Sequence, residues 1–162
     1  MTEKTLAKTL QLGAVRQIGM VVRDLEKSMV NYQRSFGVGP FAVFHFRPEK
    51  SYVRGRDGKI ALKIGIAPLT PELSLELIEV EEGQPFHLDF LKANGEGVQH
   101  LGFVCNDYER VLSQAESMNI PVLMSAETFV EGMGHVRGAY LDTLDLAGVL
   151  FEVIEIRPVA GA

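Results

Sequence analysis

Apolar residues recur along the chain with two different periods, and the changes of period divide it into elements. Val15 to Val22 is a strand-like run rich in β-branched residues. Asp24 then caps a segment in which Leu25, Met29, Tyr32 and Phe36 follow at near-helical spacing, with Gly37 as the stop. Three strand-like stretches come next, Phe41 to Phe46, Ile60 to Ala67 and Leu73 to Val80. Gly55 to Gly58 marks a turn before the second of them, and Pro68 and Pro71 separate the last two. The predicted order is β-α-β-β-β. Between Glu81 and Gly97, Pro85 opens a short helix with Phe86 and Phe90 on one face, and Asn94-Gly95 ends it. The order then repeats. Val98 to Cys105 is a strand, Asp107 caps a helix, and Tyr108, Val111, Leu112, Ala115 and Met118 form its buried stripe. Strands follow at Val122 to Ala126, His135 to Asp142 and Val149 to Ile156.

The repetition extends to the residues. VRQIGMVVRDLEKS, from Val15, lies over VQHLGFVCNDYERV, from Val98; Gln17 falls on His100, Gly19 on Gly102 and Asp24 on Asp107. The closing strands correspond as well, LSLELIEV with GVLFEVIE, which sets Glu76 over Glu152. A duplicated module dictates architecture before any local reading does. The expected fold class is α+β, with two tandem βαβββ modules at residues 14–81 and 98–158, a connector at 82–97 and a tail at 1–13, all in one compact domain.

Composition narrows the partners. With 16 Lys and Arg against 21 Asp and Glu the net charge is -5, which argues against nucleic acid. No apolar run is long enough to span a membrane, and the N-terminus lacks the apolar stretch of a secretory signal, so the cytoplasm is expected. The single cysteine, Cys105, can build neither a disulfide framework nor a thiolate zinc site and reads as a buried, inert thiol.

Four positions carry the candidate chemistry because the duplication singles them out: Gln17, Glu76, His100 and Glu152. If the modules face each other about a pseudo-twofold axis, these side chains meet in one cleft. Two carboxylates, an imidazole and an amide oxygen suit a divalent ion such as Zn, Ni, Co, Mn or Fe(II) rather than a soft thiolate site. Taken alone, a Gln or His at a strand start is more often a satisfied edge residue. Alternation leaves a further choice open, since Glu76 and Glu79 have opposite parity, as do Glu152 and Glu155.

The paired polar-x-Gly openings, the LELIEV and GVLFEVIE endings and the doubled β-α-β-β-β order resemble the vicinal oxygen chelate superfamily. Glyoxalase I, methylmalonyl-CoA epimerase, extradiol dioxygenases and the bleomycin and fosfomycin resistance proteins are members. The resemblance runs from about Val15 to Ile156 and implies a curled mixed sheet around a metal cleft, with Gln17, Glu76, His100 and Glu152 as ligands. GEGVQHLGFVCNDYE and AYLDTLDLAGVLFEVIE are most similar to the second module of methylmalonyl-CoA epimerase, whereas Gln, Glu, His, Glu is a ligand set of one glyoxalase I branch. There are departures. The epimerase's second base would fall in SYVRGRDGKIALKIGIA, which offers Tyr52, Arg54 and Arg56 but no Glu. Val21 and Val80 stand where glyoxalase I has its glutathione-binding Arg and Asn, and Gln17 breaks the two-His, one-Glu pattern of the dioxygenases.

The resemblance implies an isomerase-type enzyme, epimerase or glyoxalase-like, working on a small α-carbonyl or acyl-thioester substrate through an enediolate. Glu152 is then the catalytic base, and a homodimer is expected by analogy. Two rivals stay open: a ligand-binding protein of the same fold, and a metal-dependent lyase or oxygenase. His135, after Gly132-Met133-Gly134, is a second acid/base candidate or an exposed loop residue. His45 is a candidate for lining the pocket, and Arg54, Arg56 and Lys59 for meeting a substrate anion, with a solvated hairpin as the plainer reading. His87, in the connector, is expected on the surface.

Overall fold

The computed structural model describes residues 9–159; the expected tail at 1–13 therefore lies mostly outside the described residues. The first module contains β1 (Val15–Val21), α1 (Leu25–Phe36), β2 (Ala42–Phe46), β3 (Lys50–Val53), β4 (Arg56–Asp57), β5 (Ala61–Pro68) and β6 (Ser74–Glu82). After α2 (Phe86–Asn94) come β7 (Gly97–Val104), α3 (Tyr108–Ser117), β8 (Val122–Val130), β9 (Gly134–Leu141), α4 (Leu144–Ala147) and β10 (Leu150–Arg157). The class is α+β, as expected. Among the described residues all strands join one 10-stranded sheet in the order β2-β5-β6-β1-β7-β10-β9-β8-β3-β4. The duplication is visible in that order. β1 runs parallel to β6 and β7 parallel to β10, while β1 and β7 meet antiparallel at the centre.

Local chemistry explains where the helices begin. Asp24 accepts from the Lys27 N–H and Asp107 from the Arg110 N–H, each satisfying a donor the helix itself leaves unpaired. Gly37 closes α1 with φ 67°, a left-handed turn that favours glycine. Strand alternation then gives the sheet two faces. Leu75 and Leu77 of β6 pack with Leu25 and Val22 beneath α1. Ala139, Leu141 and Val153 pack with Tyr108, Val111 and Ala115 beneath α3, and Cys105 is buried among them. Phe36 departs from its expected place on the helix stripe and is 72% exposed, since the stripe outruns the sheet at the end of α1. Among the described residues no helix is long and apolar enough to cross a membrane.

One piece of the chain leaves its own module. Where the sequence predicts only a turn at Gly55–Gly58, β3 and β4 form a hairpin, and β3 pairs antiparallel with β8 of the second module. β2 lies at one end of the sheet and β3 near the other, yet only residues 47–49 connect them. Those few residues reach at most about 14 Å from Phe46 to Lys50. The sheet must therefore curl until its ends nearly meet, and its inner face becomes the wall of a cavity.

Candidate metal centre

The centre of the curled sheet is built from two glycines and four polar side chains. On the β1–β7 ladder Gln17 lies opposite Gly102 and Gly19 opposite His100. On the flanking parallel ladders Gly19 lies beside Glu76 and Gly102 beside Glu152. Each glycine thus stands among polar side chains from both modules, and neither has room for a side chain of its own. A Cβ on Gly19 would fall 1.8 Å from His100 Cε1, and one on Gly102 would fall 2.8 Å from Gln17 Cβ. The repeated Gly of the two openings is a packing requirement of the site.

Glu76, His100 and Glu152 converge, with ligand-capable atoms all within 4.8 Å of one another. His100 Nε2 is 3.3 Å from one oxygen of Glu76 and 3.3 Å from one of Glu152. His100 is completely buried and Glu76 nearly so, yet His100 Nε2 and Glu76 Oε2 have no aligned hydrogen bond. Leaving buried polar atoms unpaired costs free energy unless something else binds them. Ligands at ~2.1 Å from a divalent ion stand ~3.0–3.4 Å apart between octahedral and tetrahedral geometry, which matches the 3.3 Å separations. Gln17 lines the same cavity as the two carboxylates. The residues fit a divalent ion.

The other ring nitrogen of His100 is held by a neighbour that strand alternation would point away. Gly19 pairs with His100 and Met20 with Val98, so Gln99 is the extra residue of a β-bulge. The bulge brings Gln99 Oε1 to 3.3 Å from His100 Nδ1, and this contact directs Nε2 at the carboxylates. Behind the imidazole stands Tyr140, opposite Glu152 in the β9–β10 ladder, with its ring 5.0 Å from that of His100 at 89°. Burial and the two carboxylates push the Tyr140 hydroxyl well above its ordinary value, which keeps it a proton donor, and it reaches Glu152.

Charge follows from this packing. Burial disfavours a charged imidazole, but Glu152 and Glu76 outweigh it and raise His100 to about 9. Burial likewise raises Glu152, against the pull of His100. The raised His100 stabilises the metal-free fold fully below pH ~6.5, and this contribution is lost as pH rises through about 9. The melting temperature of chelator-treated protein should accordingly fall between pH 7 and 10 more steeply than that of His100→Gln. A divalent ion must displace the same proton, so its apparent affinity should rise with pH toward about 9 in a titration with buffered metal. Equal melting slopes in the two proteins would show that His100 carries no such charge.

The cavity above the cluster has a volume of about 270 Å³, and its wall is largely apolar, from Phe44 and Phe46 through Ile64 and Ile66 to Met124, Val136 and Ile154. Other residues singled out by sequence stand elsewhere. His45 points outward and meets Glu81 at 2.9 Å while its neighbours Phe44 and Phe46 face in. His135 is exposed, edge-on to Phe129 at 5.4 Å, on the opposite face of β9 from Val136 and Tyr140. Arg54 pairs with Asp89 at 2.8 Å, Lys59 with Glu82 at 3.0 Å, and Arg56 is exposed; none of the three lines the cavity. His87, expected on the surface, is instead fully buried beside Phe86 and Tyr140, and burial, together with the charge of His100, lowers it to about 3. The first turn of α2 packs inward against the sheet. Sequence reading missed Tyr140 and Gln99. Parity with Glu152 across a predicted hairpin would have found the first, but no sequence signal announces the bulge that turns the second.

Residues 16–140 match the profile of the Glyoxalase/Bleomycin resistance protein/Dioxygenase superfamily. No curated protein sequence matches the chain. Among solved structures, methylmalonyl-CoA epimerase from Mycobacterium tuberculosis is 17% identical with a TM-score of 0.64, over 96% of this chain and 95% of that one. A variant of the Streptomyces coelicolor methylmalonyl-CoA epimerase in complex with 2-nitronate-propionyl-CoA is 22% identical, TM-score 0.61, over 90% and 98%. A variant of 4-hydroxymandelate synthase from Streptomyces coelicolor is 15% identical, TM-score 0.63, over 93% of this chain and 51% of that one. At these identities the structural likeness shows the fold alone. The profile, which spans most of the sequence and includes Gln17, Glu76 and His100, shows that this chain belongs to the glyoxalase, bleomycin resistance protein and dioxygenase superfamily.

Proposed function

We propose that the chain is a metal-dependent enzyme of isomerase type that moves an α-proton on a small α-carbonyl or acyl-thioester substrate. What supports this reading is the convergence of Glu76, His100 and Glu152 against a largely apolar cavity, with the buried His100 Nε2 and Glu76 Oε2 3.3 Å apart and without an aligned hydrogen bond. A pocket serving only to hold an apolar ligand gains nothing from two buried carboxylates, whose desolvation costs several kcal/mol each, as an order of magnitude. The likeness in fold to methylmalonyl-CoA epimerases, one of them solved with methylmalonyl-CoA, supports the acyl-thioester class.

Gln17, Glu76, His100 and Glu152 would hold the ion, of the Zn, Ni, Co, Mn or Fe(II) group. Bound there, it supplies Lewis acidity that polarises a substrate carbonyl and offsets the charge of an enediolate. The side chains supply the rest. Glu152 takes the α-proton onto a carboxylate oxygen as the C–H electron pair moves toward the carbonyl. Tyr140 and the space over Gly138 position it: a Cβ on Gly138 would fall 2.9 Å from Glu152 Oε1. Returning the proton to the adjacent carbon completes an isomerisation with one base. Inversion at the same carbon needs delivery from the other side, where the remaining carboxylate on the cavity wall is Glu76.

The test begins with metal content in protein purified without chelator or nickel resin. About one divalent ion per chain is expected in the parent, and almost none in a His100→Ala, Glu152→Gln double variant. Deuterium exchange at the α-carbon across acyl-CoA and α-hydroxy-carbonyl compounds then reads the chemistry. A parent that takes up no ion after soaking with Zn, Co, Mn or Fe(II) would sink the enzyme reading.

A further inference from the structure

The central strands carry two bulges related by the same pseudo-symmetry as the ligands. On β7 the extra residue is Gln99, one before His100. On β1, Val15 pairs with Phe103 and Gln17 with Gly102, so the extra residue is Arg16, one before Gln17. Regular alternation would put Arg16 on the helix-covered face, opposite Gln17. The bulge re-aims it, and both Arg16 and Gln17 line the cavity. The two bulged residues differ in chemistry. Gln99 is buried against the ring of His100, whereas Arg16 delivers a permanent positive charge to a largely apolar wall.

Among the described residues Arg16 is the only Arg or Lys that lines the cavity. Its ion-pair partner is Glu72, 3.0 Å away, with side chains 41% and 77% exposed respectively. An exposed pair of this kind is weak, so the guanidinium is readily surrendered to a better partner. Ser74, opposite Gln17 on β6, lines the cavity beside it. Two residues further along β6 is Glu76, about 7 Å away in an extended strand. One largely apolar cavity therefore holds both a cationic group and the carboxylate and imidazole cluster.

We propose that Arg16 anchors an anionic group of the ligand. The ligand is an amphiphile with a short apolar chain or single ring as its body, a carboxylate or phosphate at Arg16, and its carbonyl oxygens toward the Glu76–His100–Glu152 cluster. The proposal rests on the reading of this cavity as the substrate site, but not on the ion.

A matched pair of dyes tests it in the full chain, first with chelator present. 8-Anilinonaphthalene-1-sulfonate and N-phenyl-1-naphthylamine share an aromatic body, and only the first carries an anion. Arg16→Ala should weaken the sulfonate about tenfold and leave the neutral dye within about twofold, because one charge-assisted contact is removed. Arg16→Lys should keep part of the difference, and Glu72→Gln should tighten the sulfonate by freeing Arg16. Octanoate and octyl phosphate should displace the sulfonate from the parent better than octanol does and lose that advantage in Arg16→Ala; the stronger of the two identifies the anion. Unchanged sulfonate binding in Arg16→Ala, or equal weakening of both dyes, overturns the proposal. Metal uptake measured on the same samples keeps the readings apart: the dye difference stands without any ion, and the ion binds whether or not Arg16 selects anions.

Discussion

Replacing Gly19 with alanine should abolish metal uptake at the proposed site. The new Cβ would lie 1.8 Å from Cε1, 2.0 Å from Nε2 and 2.4 Å from Nδ1 of His100, far inside contact distance for the whole ring. The imidazole has nowhere to retreat, being completely buried between Tyr140 and the Gln99 bulge. Either the ring turns out of its place or β1 and β7 separate, and both take Nε2 away from Glu76 and Glu152. Overpacking of this severity costs roughly 3 kcal/mol, so the melting temperature should drop together with the metal content. Gly102→Ala is the graded comparison. Its Cβ would meet Gln17 Cβ at 2.8 Å and Oε1 at 3.1 Å, which disturbs one flexible ligand and leaves His100 in place. Metal analysis should find almost no ion in the first variant and a weakened but measurable complement in the second. A full complement in Gly19→Ala would mean that His100 is not where the ladder puts it.

The duplicated openings made the central architecture legible, because one module read twice carries its own alignment. Gln17 over His100 and Gly19 over Gly102 translate directly into the antiparallel ladder that the structure contains. The caps at Asp24 and Asp107 were legible for a local reason: an Asp before an amphipathic run has one obvious donor to satisfy. Periodicity could not choose between Glu76 and Glu79, since both parities of β6 find polar work. Glu76 turns to the cavity, while Glu79 accepts from the Leu25 N–H at 2.7 Å at the start of α1. Glu155 likewise turns away from Glu152 to meet Arg137 at 2.7 Å and Arg157 at 2.8 Å. What stayed hidden depends on pairing between distant segments. The β3–β4 hairpin has an edge to join only once β8 exists, and the bulges at Arg16 and Gln99 exist only in the register of β1 against β7. His87 looks like a connector residue until α2 packs its first turn against Tyr140.

At saturating metal, Glu152→Gln should lower α-proton exchange by about 10²–10⁴-fold, the usual contribution of a general base, and change the fold little. Glutamine keeps the length of the side chain and one oxygen that can ligate the ion, and removes the negative charge and the oxygen that can take a proton. Glu76→Gln is the control that makes the result informative, because the two carboxylates occupy corresponding positions and differ in their surroundings. Glu76 lies opposite Ile66 on β5, and the next inward-facing pair is Ile64 with Ile78, so apolar side chains hem it in. Glu152 lies opposite Tyr140, with Gly138 opposite Ile154, which leaves a hydroxyl beside it and space above it. A base must swing from its resting place toward the substrate carbon, and the glycine beside Glu152 obstructs that less than the isoleucines beside Glu76. Glu76→Gln should therefore weaken metal uptake more than it slows exchange once the site is refilled. Comparable losses of exchange in both variants at full occupancy would indicate that the carboxylates act as a pair, with inversion at one carbon as the reaction. Loss confined to Glu76→Gln would transfer the base to the first module and overturn the role assigned to Glu152.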